Sequence, residues 1–146
     1  MGLPGSGKST FSRQRFAGTH DHVSKDAMPN AKQKQRRQDL QVSVSLAAGR
    51  SVVLDNTNPG VGVRAPVIAA ARRHRTEIVG YFFSTDAREA VRRNRTRSGR
   101  DRVPDVAIFT TRKRLELPSY DEGFDRLFVV TLDEAAGSFD VTPVAR

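Results

Sequence analysis

An α/β fold built on a mostly parallel sheet is what this sequence of 146 residues predicts, and three observations predict it. Short apolar runs at Ser51–Leu54 (S-V-V-L), Glu77–Phe83 (E-I-V-G-Y-F-F) and Leu127–Leu132 (L-F-V-V-T-L) read as strands buried on both faces. Helical patterns separate them, as expected of a sheet with helices on both sides. A glycine-rich loop opens the chain: Gly2–Ser9 reads G-L-P-G-S-G-K-S and matches G-x-x-x-x-G-K-[ST], the phosphate-binding P-loop. Together these observations predict a three-layer P-loop NTPase or kinase fold in one domain spanning residues 1–146.

The elements follow in order. Lys8–Phe16 is the first helix, and His22–Ser24 a short strand. Ala31–Ala48 is a helix, polar at its start and apolar later at Leu40, Val42, Val44 and Leu46, with Gly49 as its stop signal. Ser51–Leu54 is a strand with Asp55 at its end. Pro59 suits an early helix position, and Val63–His74 is helical provided Pro66 falls in the first turn. After the strand at Glu77–Phe83, Asp86 caps a helix that runs to about Arg97. Pro104 opens another helix, to Leu115, and Leu127–Leu132 is the last clear strand. The tail after about Glu134 is expected to be weakly structured. Only Met1 precedes Gly2, so the strand that normally anchors a P-loop does not stand in this sequence. A start further upstream, or a fragment, is the favoured expectation over a degenerate relative, because that strand would be central in the sheet.

Composition narrows the class. Hydrophobic residues at 37% and charged residues at 28% fit a water-soluble globular domain with a real core. The absence of cysteine excludes disulfides and thiolate metal sites. No apolar run approaches a membrane span and no secretory signal pattern opens the chain, so a cytoplasmic setting is expected. The net charge of +9 favours polyanionic partners, although a solvated arginine surface gives the same total. Basic residues cluster at Lys32, Lys34, Arg36 and Arg37, and again at Arg92, Arg93, Arg95, Arg97, Arg100 and Arg102.

The loop carries readable chemistry. Gly2, Gly5 and Gly7 permit backbone shapes that a side chain blocks, so that the loop, with Ser6, turns its N–H groups onto a phosphate. The helix starting at Lys8 adds its positive end. Lys8 is the candidate for the β- and γ-phosphates of ATP, and the hydroxyl of Ser9, beside Thr10, for Mg2+. In such sheets ligands sit at the C-terminal ends of strands. Ser24-Lys25-Asp26, Asp55-Asn56-Thr57-Asn58 and the Arg92–Arg102 segment are therefore expected to converge on the loop. A carboxylate at a strand end serves as a metal or water ligand, or orients an attacking hydroxyl. Asp26 and Asp55 have the plainer reading of turn formers. His20, His22 and His74 lack metal-ligand spacing and read as surface residues.

These blocks bear a resemblance that covers Gly2 to Val130. G-L-P-G-S-G-K-S-T-F at 2–11, S-K-D at 24–26, V-V-L-D-N-T-N-P at 52–59 with Arg64 beyond, R-R-N-R-T-R at 92–97, V-P at 103–104 and R-K-R-L-E-L-P-S-Y-D-E-G-F at 112–124 resemble the P-loop kinase domain of polynucleotide kinases. They resemble especially the kinase half of eukaryotic-type polynucleotide kinase/phosphatases. The resemblance implies transfer of the ATP γ-phosphoryl group to a 5′-hydroxyl end of DNA or RNA. Asp26 then matches the carboxylate that acts as general base on that hydroxyl, and Asp55 a supporting acidic residue; as a strand-end carboxylate Asp55 is, with Ser9, the candidate Mg2+ ligand. Arg93 and Arg97 match the lid arginines on the transferring phosphate, and their spacing of four puts both on one helix face. Lys25, Asn56, Lys32 and Arg36 are the candidates for holding the acceptor. Some relatives carry arginine where this chain has Pro29, so contact with the acceptor phosphate must come from those neighbours. No D-x-D-x-[TV] motif is present, so no linked phosphatase is expected in this chain. A kinase for a small metabolite hydroxyl uses the same catalytic parts, and an inactive nucleotide-binding module is the third reading.

Overall fold

A computed structural model describes every residue of the chain except 29 and 31, so Pro29 falls outside the described set. The elements run α1 (Lys8–Phe16), β1 (Asp21–Val23), α2 (Lys34–Ala47), β2 (Val52–Leu54), α3 (Val61–Arg73) and β3 (Val79–Phe83). They continue with α4 (Ala87–Arg95), α5 (Asp105–Arg114), β4 (Arg126–Asp133) and β5 (Ser138–Pro143), with single 3-10 turns at Gly99–Asp101 and Tyr120–Glu122.

Local chemistry explains most boundaries. Asp86 caps α4 by accepting from Arg88 N at 2.8 Å, and Ala87, Ala90, Val91 and Asn94 form its buried stripe. That helix ends at Arg95 with Thr96 as its cap, so Arg97 lies beyond it and does not share a helix face with Arg93 as the spacing suggests. Pro66 sits in the second turn of α3 because the helix starts at Val61 rather than Val63. The carbonyl that loses a partner belongs to Gly62, which is exposed to water, so the proline is tolerated. The buried stripe of α2 is Gln38, Val42 and Ser45, while Leu40 and Val44 face solvent. The inner face of this helix is therefore part polar and does not follow its apolar residues.

The tail is not weakly structured. Asp133 Oδ1 accepts from Ala135 N and Ala136 N at 3.0 and 3.1 Å, Gly137 takes a positive φ of 64°, and β5 returns antiparallel to β4. Phe139 and Val141 alternate inward, and Phe139 meets the Phe11 ring edge-on at 5.3 Å.

The strands form two hydrogen-bonded pieces. β1 and β2 pair in parallel from Asp21↔Val52 to Val23↔Leu54. β3 and β4 pair in parallel from Val79↔Arg126 to Phe83↔Val130, with β5 outside. The start of the chain bridges the pieces: Met1 N donates to Tyr81 O at 2.7 Å, Phe83 N donates to Met1 O at 2.9 Å, and Gly2 N donates to Thr57 O at 3.0 Å. Phe11 of α1 packs on Phe83 and Val130, while Ile68 of α3 packs on Leu127 and Phe124. Successive strand residues point to opposite faces, so α1 and α3 cover opposite sides of the β3–β4 sheet. A third cluster, Leu3 with Ala87, Ala90, Val91 and Ile108, seats the P-loop on α4 and α5.

Candidate functional site

The loop Gly2–Gly7 is held by its glycines. Gly5 and Gly7 adopt φ of 80° and 92°, a region that side chains disfavour. A Cβ on Gly5 would stand 2.5 Å from the carbonyl oxygen of Ala90, so the loop lies directly on the α4 backbone. Leu3 and Ser6 are each 1% exposed and pin it from below. Lys8 Nζ donates to Gly2 O at 3.1 Å, Leu3 O at 2.5 Å and Ser6 Oγ at 3.2 Å. Desolvation pulls its ammonium down to about 8; Asp55 opposes the fall, Arg97 adds to it, and Asp26 opposes it. Asp55, Arg97 and Asp26 thus lie within electrostatic reach of Lys8. Ser9 and Thr10 present exposed hydroxyls on the first turn of α1.

The loops after β1 and β2 are tied together beside the P-loop. Ser24, Lys25 and Asp26 form a tight turn, with Asp26 N donating to Ser24 Oγ at 3.2 Å and Ala27 N to Ser24 O at 3.2 Å. Asp26 itself is exposed. Asn56 Oδ1 accepts from Lys25 N at 2.9 Å, and Asn56 Nδ2 donates to Gln38 Oε1 at 2.8 Å. Both ends of the Asn56 amide are therefore engaged in holding this turn rather than turned to an acceptor. Gln38, 1% exposed, is the residue that sequence reasoning missed. Its signal is a polar side chain one turn before Val42 on the inner stripe of α2. Asp55 is 8% exposed and pairs through Oδ2 with His22 Nε2 at 3.2 Å, which gives that exposed histidine a partner the sequence did not suggest.

A buried ion pair fixes the far end of the 55–59 loop. Arg64 Nε and Nη2 donate to Glu122 at 2.6 and 2.7 Å, and Nη1 donates to the carbonyls of Asn58, Pro59 and Glu116 at 3.1–3.3 Å. The two side chains are only 3% and 7% exposed. Desolvation pushes the Glu122 carboxyl up, but hydrogen bonds from Arg64 and from Ser119 N outweigh it and hold the group below its ordinary value. The two blocks D-N-T-N-P and E-G-F thus meet in space through Arg64.

The arginine segment separates into roles. Arg93 Nη1 donates to Gly5 O at 3.3 Å while its Nε pairs with Glu134, which also pairs with Arg92. Arg95 is paired with Asp105. Arg97 is half-buried, and Arg100 and Arg102 are exposed. The second basic group, Lys32, Lys34, Arg36 and Arg37, stands at the start of α2, whose first turn holds no acidic residue. Lys32, Arg36 and Arg37 are exposed. Lys25 Nζ donates to Gln35 Oε1 at 2.6 Å at the same end of that helix.

A glycine cradle seated on α4, with a desolvated lysine at its mouth, is the geometry of a P-loop, and residues 1–118 match the AAA domain family. The chain belongs to that family. Across it the chain is 33% identical over 139 residues to a putative bifunctional polynucleotide phosphatase/kinase of Acanthamoeba polyphaga mimivirus, covering 90% of this chain and 32% of the relative. It is 26% identical over 129 residues to the bifunctional polynucleotide phosphatase/kinase of Schizosaccharomyces pombe, covering 85% of this chain and 30% of the relative. The chain spans about a third of the length of these relatives. Among solved structures, Chaetomium thermophilum Kti12 in complex with ADP-AlF3 shares the fold, with a TM-score of 0.67, 20% identity and coverage of 92% and 89% of the two chains. The three-layer P-loop fold of this AAA domain is therefore established, with its parallel strand pairs and one antiparallel edge. Among the described residues no helix is long and apolar enough to cross a membrane.

Proposed function

We propose that this AAA domain is an ATP-dependent kinase that transfers the γ-phosphoryl group to a 5′-hydroxyl end of DNA or RNA. One observation carries the reading. The S-K-D turn and the D-N-T-N-P loop are locked to each other through Lys25 N and Asn56, and to the P-loop through Gly2 N and Thr57 O. A nucleophile-orienting carboxylate and a phosphate cradle therefore share one rigid frame, which phosphoryl transfer needs more than any covalent chemistry. The names of the mimivirus and fission-yeast relatives support the same acceptor.

In this reading the loop N–H groups, Ser6 and Lys8 bind the β- and γ-phosphates. Phosphate oxygens take over the donors that Lys8 directs at Gly2, Leu3 and Ser6. Asp26 accepts the proton of the 5′-hydroxyl as its oxygen bonds to the γ-phosphorus and the bond to the ADP oxygen breaks. No side chain among the described residues donates to the Asp26 carboxylate, so it is free for that contact. Arg93 and Arg97 neutralise the transferring group, Arg93 from its seat on Gly5 O. Ser9 and Asp55 suit Mg2+, which takes few protein ligands and completes its shell with phosphate oxygens and water. Bound there, the ion would supply charge neutralisation on the phosphates. Lys25, Lys32 and Arg36 are assigned to the acceptor backbone, and Asn56 to positioning the Asp26 turn.

The test is transfer of label from γ-labelled ATP to an oligonucleotide with a free 5′-hydroxyl, compared with the same oligonucleotide already 5′-phosphorylated. Label at the 5′ end of the first and none on the second supports the reading. Label on both, or on the 3′ end, overturns it.

A further inference from the structure

Three stretches of backbone meet at Arg93. α4 lies directly against the P-loop, where a Cβ on Gly5 would strike Ala90 O. The β4–β5 hairpin stands at the other end of the loop: a Cβ on Gly7 would lie 3.0 Å from the Phe139 ring and 3.8 Å from Leu132. The turn of that hairpin is closed locally. Asp133 Oδ1 accepts from Ala135 N and Ala136 N, and Gly137 supplies a left-handed residue. This turn carries Glu134, 41 residues beyond Arg93 in the chain.

Glu134 holds two arginines with separate oxygens. Oε2 accepts from Arg92 Nη2, and Oε1 accepts from Arg93 Nε. The bond from Arg92 does most to hold this carboxyl below its ordinary value; burial opposes it and the bond from Arg93 adds to it. Arg92 has a second partner in Glu89 and a side chain 57% exposed. Arg93 is 19% exposed, and its Nη1 donates to Gly5 O at 3.3 Å. The Arg93 guanidinium is therefore fixed at two of its nitrogens, by the carboxylate and by the loop. Because the group is planar, fixing Nε and Nη1 also fixes the direction of Nη2. Among the described residues Nη2 donates to nothing. Arg97 offers the contrast: its Nη1 donates to Asp101 O at 3.4 Å, within its own segment, and no carboxylate among the described residues orients it. An exposed arginine–carboxylate pair adds little to stability in water. The consequence of this one is the orientation of a donor before any phosphate arrives.

We infer that Glu134 is the positioning residue for Arg93, holding its guanidinium against Gly5 O so that Nη2 is left to meet an oxygen of the transferring phosphoryl group. The inference rests on the assignment of Arg93 to that group. Glu134 itself touches neither nucleotide nor acceptor, since both its oxygens are engaged by arginines. It acts by removing the need to orient Arg93 during the reaction, an effect felt by the planar group in flight more than by bound nucleotide. The β4–β5 hairpin thereby becomes part of the site, although none of its residues belongs to the P-loop or to the arginine segment.

The test compares the affinity for ADP with Mg2+ in the presence and absence of aluminium fluoride, which beside ADP imitates the planar phosphoryl group. The unaltered chain, Glu134→Gln, Arg93→Ala and the double variant are measured, with Tm followed for each. Glu134→Gln should lose on the order of 10- to 100-fold of the tightening that aluminium fluoride brings, the scale of a misplaced catalytic group. Its affinity for ADP alone and its Tm should stay close to those of the unaltered chain, because the pair it breaks is exposed. Arg93→Ala should lose at least as much, and adding Glu134→Gln to it should cost nothing further, since the two act as one unit. Equal tightening in Glu134→Gln and the unaltered chain overturns the inference. So do additive losses in the double variant, or a loss of plain ADP affinity as large as the loss of tightening. No acceptor enters this measurement, so an oligonucleotide that takes no label contradicts the 5′-hydroxyl reading without deciding the role of Glu134.

Discussion

Lys8 is where the electrostatics of the site are sharpest. With its ammonium drawn down to about 8 by desolvation, the folded protein releases this proton before the unfolded chain does, whose lysine titrates near 10.5. Between those values the unfolded chain binds more protons, so this residue makes stability rise with pH across that window. A phosphate beside the amine restores the charged form, so ATP binding at pH 8.5 should take up protons. Titration calorimetry in buffers of different ionisation heat reads this, and Lys8→Met should lose both the uptake and turnover while keeping its fold. Normal turnover in that variant would contradict the role of the loop. Asp26 makes the complementary case. Asp26→Asn should lower kcat by about 100-fold or more, the usual scale for a positioned acid–base group, with ATP affinity little changed. A variant that fails to bind ATP instead would place Asp26 on the metal.

At the scale of elements, the joint between α3 and the 119–124 segment holds the D-N-T-N-P loop. Arg64→Ala leaves a buried Glu122 carboxylate without its partner, a loss of about 3–5 kcal/mol, and Tm should fall by roughly 10 °C. Adding Glu122→Gln should recover part of the fall; no change in Tm for Arg64→Ala would show that the pair carries little. Much of this level is legible in the sequence. The P-loop, the Lys8 helix, the Asp86 cap and the apolar β3 run each carry a local signal that the fold obeys. The rest depends on tertiary contact. β5 was obscured because only Phe139 and Val141 alternate inward, and an edge strand beside polar turn residues resembles a tail. The inner stripe of α2 is not legible from its apolar residues, because Gln38 is buried by its bond to Asn56 while Leu40 and Val44 stay outside. The end of α4 at Arg95 separates Arg93 from Arg97, and no spacing rule foretells where a helix stops when its last turn is held by Thr96. Glu134, in the turn before β5, comes to Arg93 only once that hairpin has formed.

For the whole molecule, charge is the lever. The excess of +9 is unevenly used: Arg92, Arg93 and Arg95 are paired with Glu89, Glu134 and Asp105, whereas Lys32, Arg36 and Arg37 stand exposed at the start of α2. If that group tracks an acceptor backbone, oligonucleotide affinity should fall linearly with salt on a log–log scale, by about 0.7 per neutralised phosphate for a single strand. Replacing Lys32, Lys34, Arg36 and Arg37 by glutamine should flatten that slope and leave ATP binding intact. An unchanged slope would place the acceptor elsewhere. The central claim, that the hydroxyl phosphorylated belongs to a polynucleotide end, is tested most directly by kcat/KM across acceptors of rising length, from a nucleoside through a dinucleotide to a decamer, beside a panel of sugars and amino alcohols. The account predicts that kcat/KM climbs with length, that the gain disappears at high salt, and that sugars and amino alcohols stay unlabelled. A nucleoside, sugar or amino alcohol phosphorylated as well as the decamer would contradict it.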